Sequence, residues 1–396
     1  MRESLRLAGE PIAPPPGPAV LAMGFRPFFL LAAAYGAVIL PLWLVVHGGS
    51  LPPGGGLPPT WWHAHELLLG YTGAVLAGFL LTAVRHWSGG HPTAANGSLA
   101  ALCGLWIAGR AAHAPGLDLG LWSAAPDVLW LLGTTWAIGR PLVRARSKRN
   151  YGFLVALPLL AAASLGMHLA ADGVAEAARP SLRVPVSVLA VIMAVVAGRI
   201  VPLFTRNALE LEPRRFGLLE RVLPLALGGV LLTALAPLPS ALEAAALAAA
   251  GALLLVRMAG WNSLATLGTP ILWILHVGHG FVGLGLLLQA GGALGVVPPS
   301  AGLHAITAGG IGSLTLGMMA RVGLGHTGRP LRVSRPIVAA FALMVGAGAL
   351  RVLAPVLGTP TALLHVAGTA WSVALLLFLF VYGPLLVAPR PDGKPG

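Results

Sequence analysis

Apolar residues in this chain come in long unbroken runs, each bounded by proline, glycine or a charge, without the alternation of half-buried strands or the single stripe of surface helices. A bilayer core of about 30 Å takes about 20 such residues per helix. Twelve runs reach that length, at 25–46, 62–84, 94–113, 121–139, 152–171, 183–205, 219–236, 240–257, 269–289, 300–321, 336–355 and 361–387. The pattern predicts an all-α polytopic membrane bundle of about twelve transmembrane helices. A single transmembrane domain is expected over 25–388, with short tails at 1–24 and 389–396. The first tail carries Arg2, Arg6 and Pro14-Pro15-Pro16 and no apolar core of a signal peptide, so the first run reads as an uncleaved span.

Composition sharpens this picture. Of 396 residues, 57% are apolar and 9% charged, where a soluble domain carries about a quarter charged residues. A net charge of +13 raises the possibility of nucleic acid, and the placement of the cations removes it. With the N-terminus inside, 20 of the 25 Lys and Arg fall on the cytoplasmic side, four (Arg110, Arg179, Arg183 and Arg351) fall outside, and Arg199 lies within the sixth run. That asymmetry is the signature of insertion topology and puts both termini in the cytoplasm. The one cysteine, Cys103, allows no intramolecular disulfide and no CxxCH haem attachment, so any haem would be held non-covalently.

Weak echoes suggest an internal repeat. Ala77-Gly78, Ala197-Gly198 and Leu316-Gly317 recur near the cytoplasmic ends of the second, sixth and tenth runs, spaced by 120 and 119 residues. Ala114-Pro115, Ala236-Pro237 and Ala354-Pro355 close the third, seventh and eleventh, spaced by 122 and 118. Three four-helix units of one topology follow from this reading, related by an axis along the membrane normal.

The chemistry-bearing residues are histidines. Ionisable groups inside membrane helices are costly and mark functional interiors. Of the 12 histidines, His47, His63, His65, His113, His168, His304 and His365 fall near the outer face, and His276 and His279 lie deeper in the ninth run. An outer-half, histidine-lined cavity is the simplest expectation. His63 and His65 are two residues apart, about 200° around a helix, and cannot face one metal unless the first turn is unwound. His65 lies 13 residues before Gly78 and His304 lies 13 before Gly317, so the repeat makes them equivalent. His365 opens the last run at similar depth. Each of these is either a ligand or a hydrogen-bonded interfacial histidine. His276 and His279 share a face with Gly280 and Gly283, which suits either a flat macrocycle or close helix packing. Imidazole serves haem iron and copper alike. Arg110 and Arg351 each precede an outer Ala-Pro and either pair with haem propionates or snorkel to headgroups. Arg26 and Arg199 read as topology anchors or partners of helix C-terminal carbonyls. The glycine-rich loop Ala320–Pro330, with Arg321, His326 and Arg329, reads as a tight cytoplasmic turn before an anion site. The cofactor candidates are therefore His65, His276, His304, His365, Arg110 and Arg351, and the metal candidates His63, His65, His276, His304 and His365.

Several segments together resemble the NnrS family: Gly24-Phe25-Arg26-Pro27-Phe28-Phe29, Trp62-His63-Ala64-His65-Glu66, Ala77-Gly78-Phe79-Leu80-Leu81-Thr82-Ala83-Val84, Leu272-Trp273-Ile274-Leu275-His276, Leu316-Gly317-Met318-Met319-Ala320-Arg321 and Gly325-His326-Thr327-Gly328-Arg329-Pro330. The resemblance implies a multi-pass protein of the bacterial inner membrane that contains haem b and copper and takes part in denitrification and the handling of nitric oxide. The expected function is binding or conversion of nitric oxide, a small gas that reaches a buried metal sideways from the bilayer. Only Glu66 and Asp127 are acidic groups well placed to serve such a site, which argues against fast proton-consuming turnover. The alternative is a twelve-helix transporter with a histidine-lined pathway.

Overall fold

The computed structural model describes residues 17–174 and 183–393. Arg2, Arg6, the triple proline, Arg179 and Lys394 lie outside the described residues. Among the described residues there are twelve long helices and no strand. They are α1 (Phe25–His47), α2 (Pro59–Trp87), α3 (Asn96–Ala112), α4 (Ala125–Arg144), α5 (Gly152–Ala171), α6 (Arg183–Leu209), α7 (Gly217–Leu235), α8 (Ser240–Ala259), α9 (Pro270–Ala293), α10 (Pro299–His326), α11 (Arg335–Val356) and α12 (Thr361–Val387). Ten are long and apolar enough to cross a membrane. The other two are α3, with only 17 residues, and α4, which carries Asp127 and Arg140. These two helices bring Arg110 and Asp127 into the bundle, where they join Glu66 of α2. The 1–24 tail differs in part from expectation: Ala19–Leu21 forms a 3-10 turn against α3 and α12, and Met23 is buried.

Helix contacts follow the three-unit plan. Within the first unit α1 packs on α2 and α3 on α4, and the third repeats this with α9 on α10 and α11 on α12. The last helix of each unit packs on the first of the next: α4 on α5, α8 on α9, and α12 back on α1. The ring is thereby closed. The second helices α2, α6 and α10 touch one another at its centre, and α2 and α10 are the most buried spans, at 83% and 72%, against 28% for α8. Tyr71 on α2 and Thr315 on α10 share a hydrogen bond of 2.8 Å across that centre.

Arg26 fastens the closure. Its buried guanidinium donates to the carbonyls of Leu386 (2.8 Å) and Ala388 (2.7 Å), acceptors that the end of α12 leaves without an intrahelical donor. Arg199 does similar work, donating to Asn150 Oδ1 (2.9 Å) and the Arg149 carbonyl (3.2 Å). Arg26 meets helix C-terminal carbonyls as the sequence suggested, whereas Arg199 meets the turn before α5.

Two departures from regular helix matter for function. Seven residues of α2, Glu66–Thr72, and seven of α10, Ala305–Ile311, are π-helical, and each segment begins one residue after the histidine that the repeat makes equivalent, His65 or His304. A π turn frees carbonyls and widens the helix, and such turns favour functional sites. In α2 the freed groups are met by Trp106 Nε1 on the Gly70 carbonyl (3.0 Å) and Thr72 Oγ1 on that of Leu67 (2.8 Å). In α10, Thr307 and Thr315 bond back to Leu303 and Ile311.

A candidate metal centre at the junction of the first two units

Near the end of the bundle where α2 and α4 begin and α3 and α5 finish, the end that the charge asymmetry assigns to the outer face, three imidazoles meet. The ligand nitrogens of His65, His113 and His168 all lie within 4.8 Å of one another, and all three residues are buried. His65 stacks on His113 with ring centroids 4.1 Å apart, and His113 Nε2 stands 3.1 Å from His168 Nε2. Two imidazole nitrogens sharing one tetrahedral ion at about 2.0 Å would be about 3.3 Å apart, so this spacing is that of a pair ready to clasp a metal.

The neighbours set the tautomers. His113 Nδ1 donates to the Gly109 carbonyl (2.8 Å) and His65 Nδ1 donates to Glu66 Oε1 (2.8 Å), which leaves each Nε2 with its lone pair. A carboxylate or carbonyl behind the far nitrogen is the arrangement that orients metal-binding histidines. His65 Nε2 accepts from Ser164 Oγ at 3.1 Å, a weak hold that a metal could replace.

Charge surrounds the imidazoles. Arg110 from α3 lies between two carboxylates, donating to Glu66 Oε1 at 2.7 Å and Asp127 Oδ1 at 2.5 Å, and Tyr35 of α1 donates to Glu66 Oε2. Two acidic side chains thus share one guanidinium inside a low-dielectric interior. Asp127 Oδ2 makes no hydrogen bond among the described residues and stands 3.5 Å from His65 Nε2 and 3.8 Å from His113 Nδ1. Such a group is costly unless a cation completes it. Gly70 makes the arrangement possible, since a Cβ there would stand 2.6 Å from the Arg110 guanidinium.

A strap from the α1–α2 loop seals the outer side. Gly55 donates to the Leu117 carbonyl (2.7 Å) and Gly116 to that of Pro53 (3.1 Å), which ties this loop to the one after α3. Gly55 sits at φ +66°, and a Cβ on it would lie 2.5 Å from the His113 ring. Trp62 Nε1 holds the His113 carbonyl at 2.8 Å, and Trp62, Leu57 and Met167 form a small apolar cluster beside the site. A hollow of ≈ 460 Å³ lined by Pro52, Pro53, Gly56, Leu57, Pro58, Gly116 and Asp118 lies on the strap's outward side.

The sequence-predicted residues divide among several places. His65 and Arg110 belong to this centre. The first turn of α2 stays helical, and His63 points elsewhere, stacking on Trp43 at 4.4 Å. His304 and Arg351 form a separate pair at 2.8 Å. His276 is buried on α9 with both ring nitrogens engaged, by Thr205 Oγ1 and Ser263 Oγ, each at 2.9 Å. His365 is exposed on α12. The glycines beside His276 serve helix packing: a Cβ on Gly283 would stand 2.9 Å from the Leu255 side chain and 3.3 Å from the Gly251 carbonyl of α8. His113 and His168 were visible in the sequence only as two of the outer-face histidines, because their partnership crosses from α3 to α5 and no spacing along the chain encodes it.

The fold and this centre define a polytopic helical membrane protein with a buried histidine–carboxylate site that could hold a metal ion. No curated protein matches the chain. The profile of one family does, described as NnrS protein, over residues 19–390. The chain belongs to the NnrS family.

Proposed function

We propose that this chain is a bacterial inner-membrane protein that holds copper at His65, His113 and His168 and there binds or converts nitric oxide, lowering nitrosative stress in denitrification. Family membership supports the gas. One observation carries the metal: three imidazole nitrogens converge in a buried site whose carboxylates outnumber its guanidinium. Imidazole donors suit copper, and a singly charged ion would cancel the excess charge. Haem b, the other cofactor the resemblance implies, finds less support on the face of α9 proposed for it, where α8 packs against Gly283 and His276 spends both nitrogens on hydroxyls, although the buried His279 leaves both of its nitrogens unpartnered among the described residues.

Copper there would supply an open coordination position for a diatomic ligand. The protein's residues do the rest. Glu66 and the Gly109 carbonyl fix two imidazoles by their far nitrogens. Arg110 holds Glu66 and Asp127 in place by a hydrogen bond to each, and among the described residues no further acidic side chain stands beside the imidazoles to relay protons, which favours binding or slow conversion over rapid reduction. The strap and Trp62 exclude bulk water, while the helices leave the lipid as the route for an apolar gas. The transporter alternative finds less support, because the inward continuation of α2 from Gly73 to Leu81 carries only apolar side chains and glycine.

The test is copper content together with the optical and EPR response to nitric oxide, in purified wild type and variants. Stoichiometric copper is expected in the wild type and in His304→Ala, and its loss in His113→Ala and His168→Ala. Copper retained by both of the latter, or no spectral change with nitric oxide, would overturn the reading.

A further inference from the structure

The two π segments share one register, so the elements of the centre have counterparts at the junction of the third unit with the first. There His304 of α10 stands where His65 stands in α2, Arg351 of α11 answers Arg110 of α3, and His47 at the outer end of α1 answers His168 near the outer end of α5. The side chains do meet. Arg351 Nη2 donates to His304 Nε2 at 2.8 Å, and His304 Nδ1 donates to the Ser300 carbonyl at 2.7 Å, so this imidazole is neutral and acts as the acceptor. His63 lies within electrostatic range of His304, Arg351 and His47, stacked on Trp43, which also contacts His47.

What is missing is the acid. Ala305 occupies the place of Glu66, and the outer turns of α12, Thr361–Gly368, contain no counterpart of Asp127. The deficit is general: the chain has no Asp or Glu from Ala244 to Pro391 and none from Pro11 to His65, which are the stretches that supply every element at this junction. Among the described outer-face arginines, Arg110 pairs with Glu66 and Asp127, and Arg183 pairs with Glu243 at 3.3 Å. Among the described residues Arg351 has no carboxylate partner, and its hydrogen bond goes to the His304 ring. His63 Nδ1, shielded from solvent, has no hydrogen-bond partner among the described residues. Pairing to His304 holds the guanidinium against the bundle, with donors to spare. A fixed cation at a membrane interface with no protein counter-charge recruits an anion.

We propose that the cluster of His304, Arg351, His63 and His47 is a second ligand site, a carboxylate-free copy of the histidine centre, and that it binds an oxyanion. The phosphate of a lipid headgroup and a free oxyanion share that chemistry. At the junction of the second and third units the copy is blank, with Val184 and Pro185 in the corresponding turn of α6. One scaffold thus carries a cation site, an anion site and a silent one.

Equilibrium dialysis of the full-length protein in maltoside micelles against radiolabelled inorganic phosphate tests this, with and without added short-chain phosphatidylglycerol. Saturable phosphate binding is expected, at least tenfold weaker in Arg351→Gln, in line with the loss of a charge-assisted hydrogen bond. Ala305→Glu, which restores the missing carboxylate, should abolish it. Copper content at His65, His113 and His168 should not change in Arg351→Gln, so failure here is separable from failure of the copper reading. Competition by phosphatidylglycerol assigns the site to lipid, and its absence assigns it to the free ion. Wild-type phosphate affinity in both variants, or no saturable binding in the wild type, overturns the proposal.

Discussion

At the junction of the first and second units an arginine from the third helix lies between two carboxylates, and at the junction of the third and first its counterpart lies against an imidazole alone. The helices, the π turn and the histidine heading it are shared. What separates them is the residue after that histidine, Glu66 in one and Ala305 in the other, together with Asp127, which has no counterpart. A buried guanidinium held by two carboxylates leaves a net negative site that favours a cation. The same guanidinium without them leaves a positive one. On the two proposals above, these two side chains would set the sign of the ligand on a common scaffold.

That contrast can be broken by removing each arginine. Arg110→Leu strands Glu66 and Asp127 in the interior and is expected to cost about 3–5 kcal/mol, the usual penalty for breaking a buried pair. Arg351→Leu strands no charge and should cost less than about 1 kcal/mol. Thermal unfolding in detergent measures both, and equal losses would show that the two sites are not the electrostatic opposites described.

The seal over the first site offers a smaller effect. Gly55→Ala meets both a positive φ and the His113 ring, whereas Gly49→Ala meets a positive φ of +77° with nothing within 4 Å. The first should destabilise by about 1–3 kcal/mol and the second by about 1 kcal/mol. Hydrogen exchange over residues 52–58 should rise only in Gly55→Ala. A matching rise in Gly49→Ala would mean that the strap is held by its own backbone and not by contact with the histidine.

The smallest expected difference lies between the two π segments. Trp106→Phe removes the indole donor from the Gly70 carbonyl and should cost about 1 kcal/mol, with faster exchange confined to Glu66–Thr72. The π segment of α10 is served by its own threonines and should be unaffected. Equal loosening of both would indicate that they are coupled through the Tyr71–Thr315 contact.

Much of this was legible along the chain. Runs of apolar residues fixed the number and place of the helices, because a continuous apolar stretch of this length satisfies its own backbone in lipid only as a helix. The one-third spacing of Gly78, Gly198 and Gly317 suggested a repeat with which the helix contacts agree, and the 200° separation of His63 and His65 already argued against a common ligand, in keeping with their different surroundings. The weights given to individual histidines were less informative. His365, on the same outer level as the others, faces outward, and His276 is satisfied by hydroxyls from α6 and the loop before α9. Depth was readable from the distance to a helix end, but azimuth depends on which neighbour each helix packs against.

The sequence by itself determined a helical membrane protein, its charge asymmetry and its acid-poor final third, since these are sums over local composition and insertion. Only the tertiary structure decided which histidines share a site. His65, His113 and His168 come from three helices spread over 104 residues, and it is ring closure, with α4 against α5 and α12 against α1, that brings two such sets together. Contact across units depends on packing partners, and packing partners are a property of the closed bundle and not of any single run.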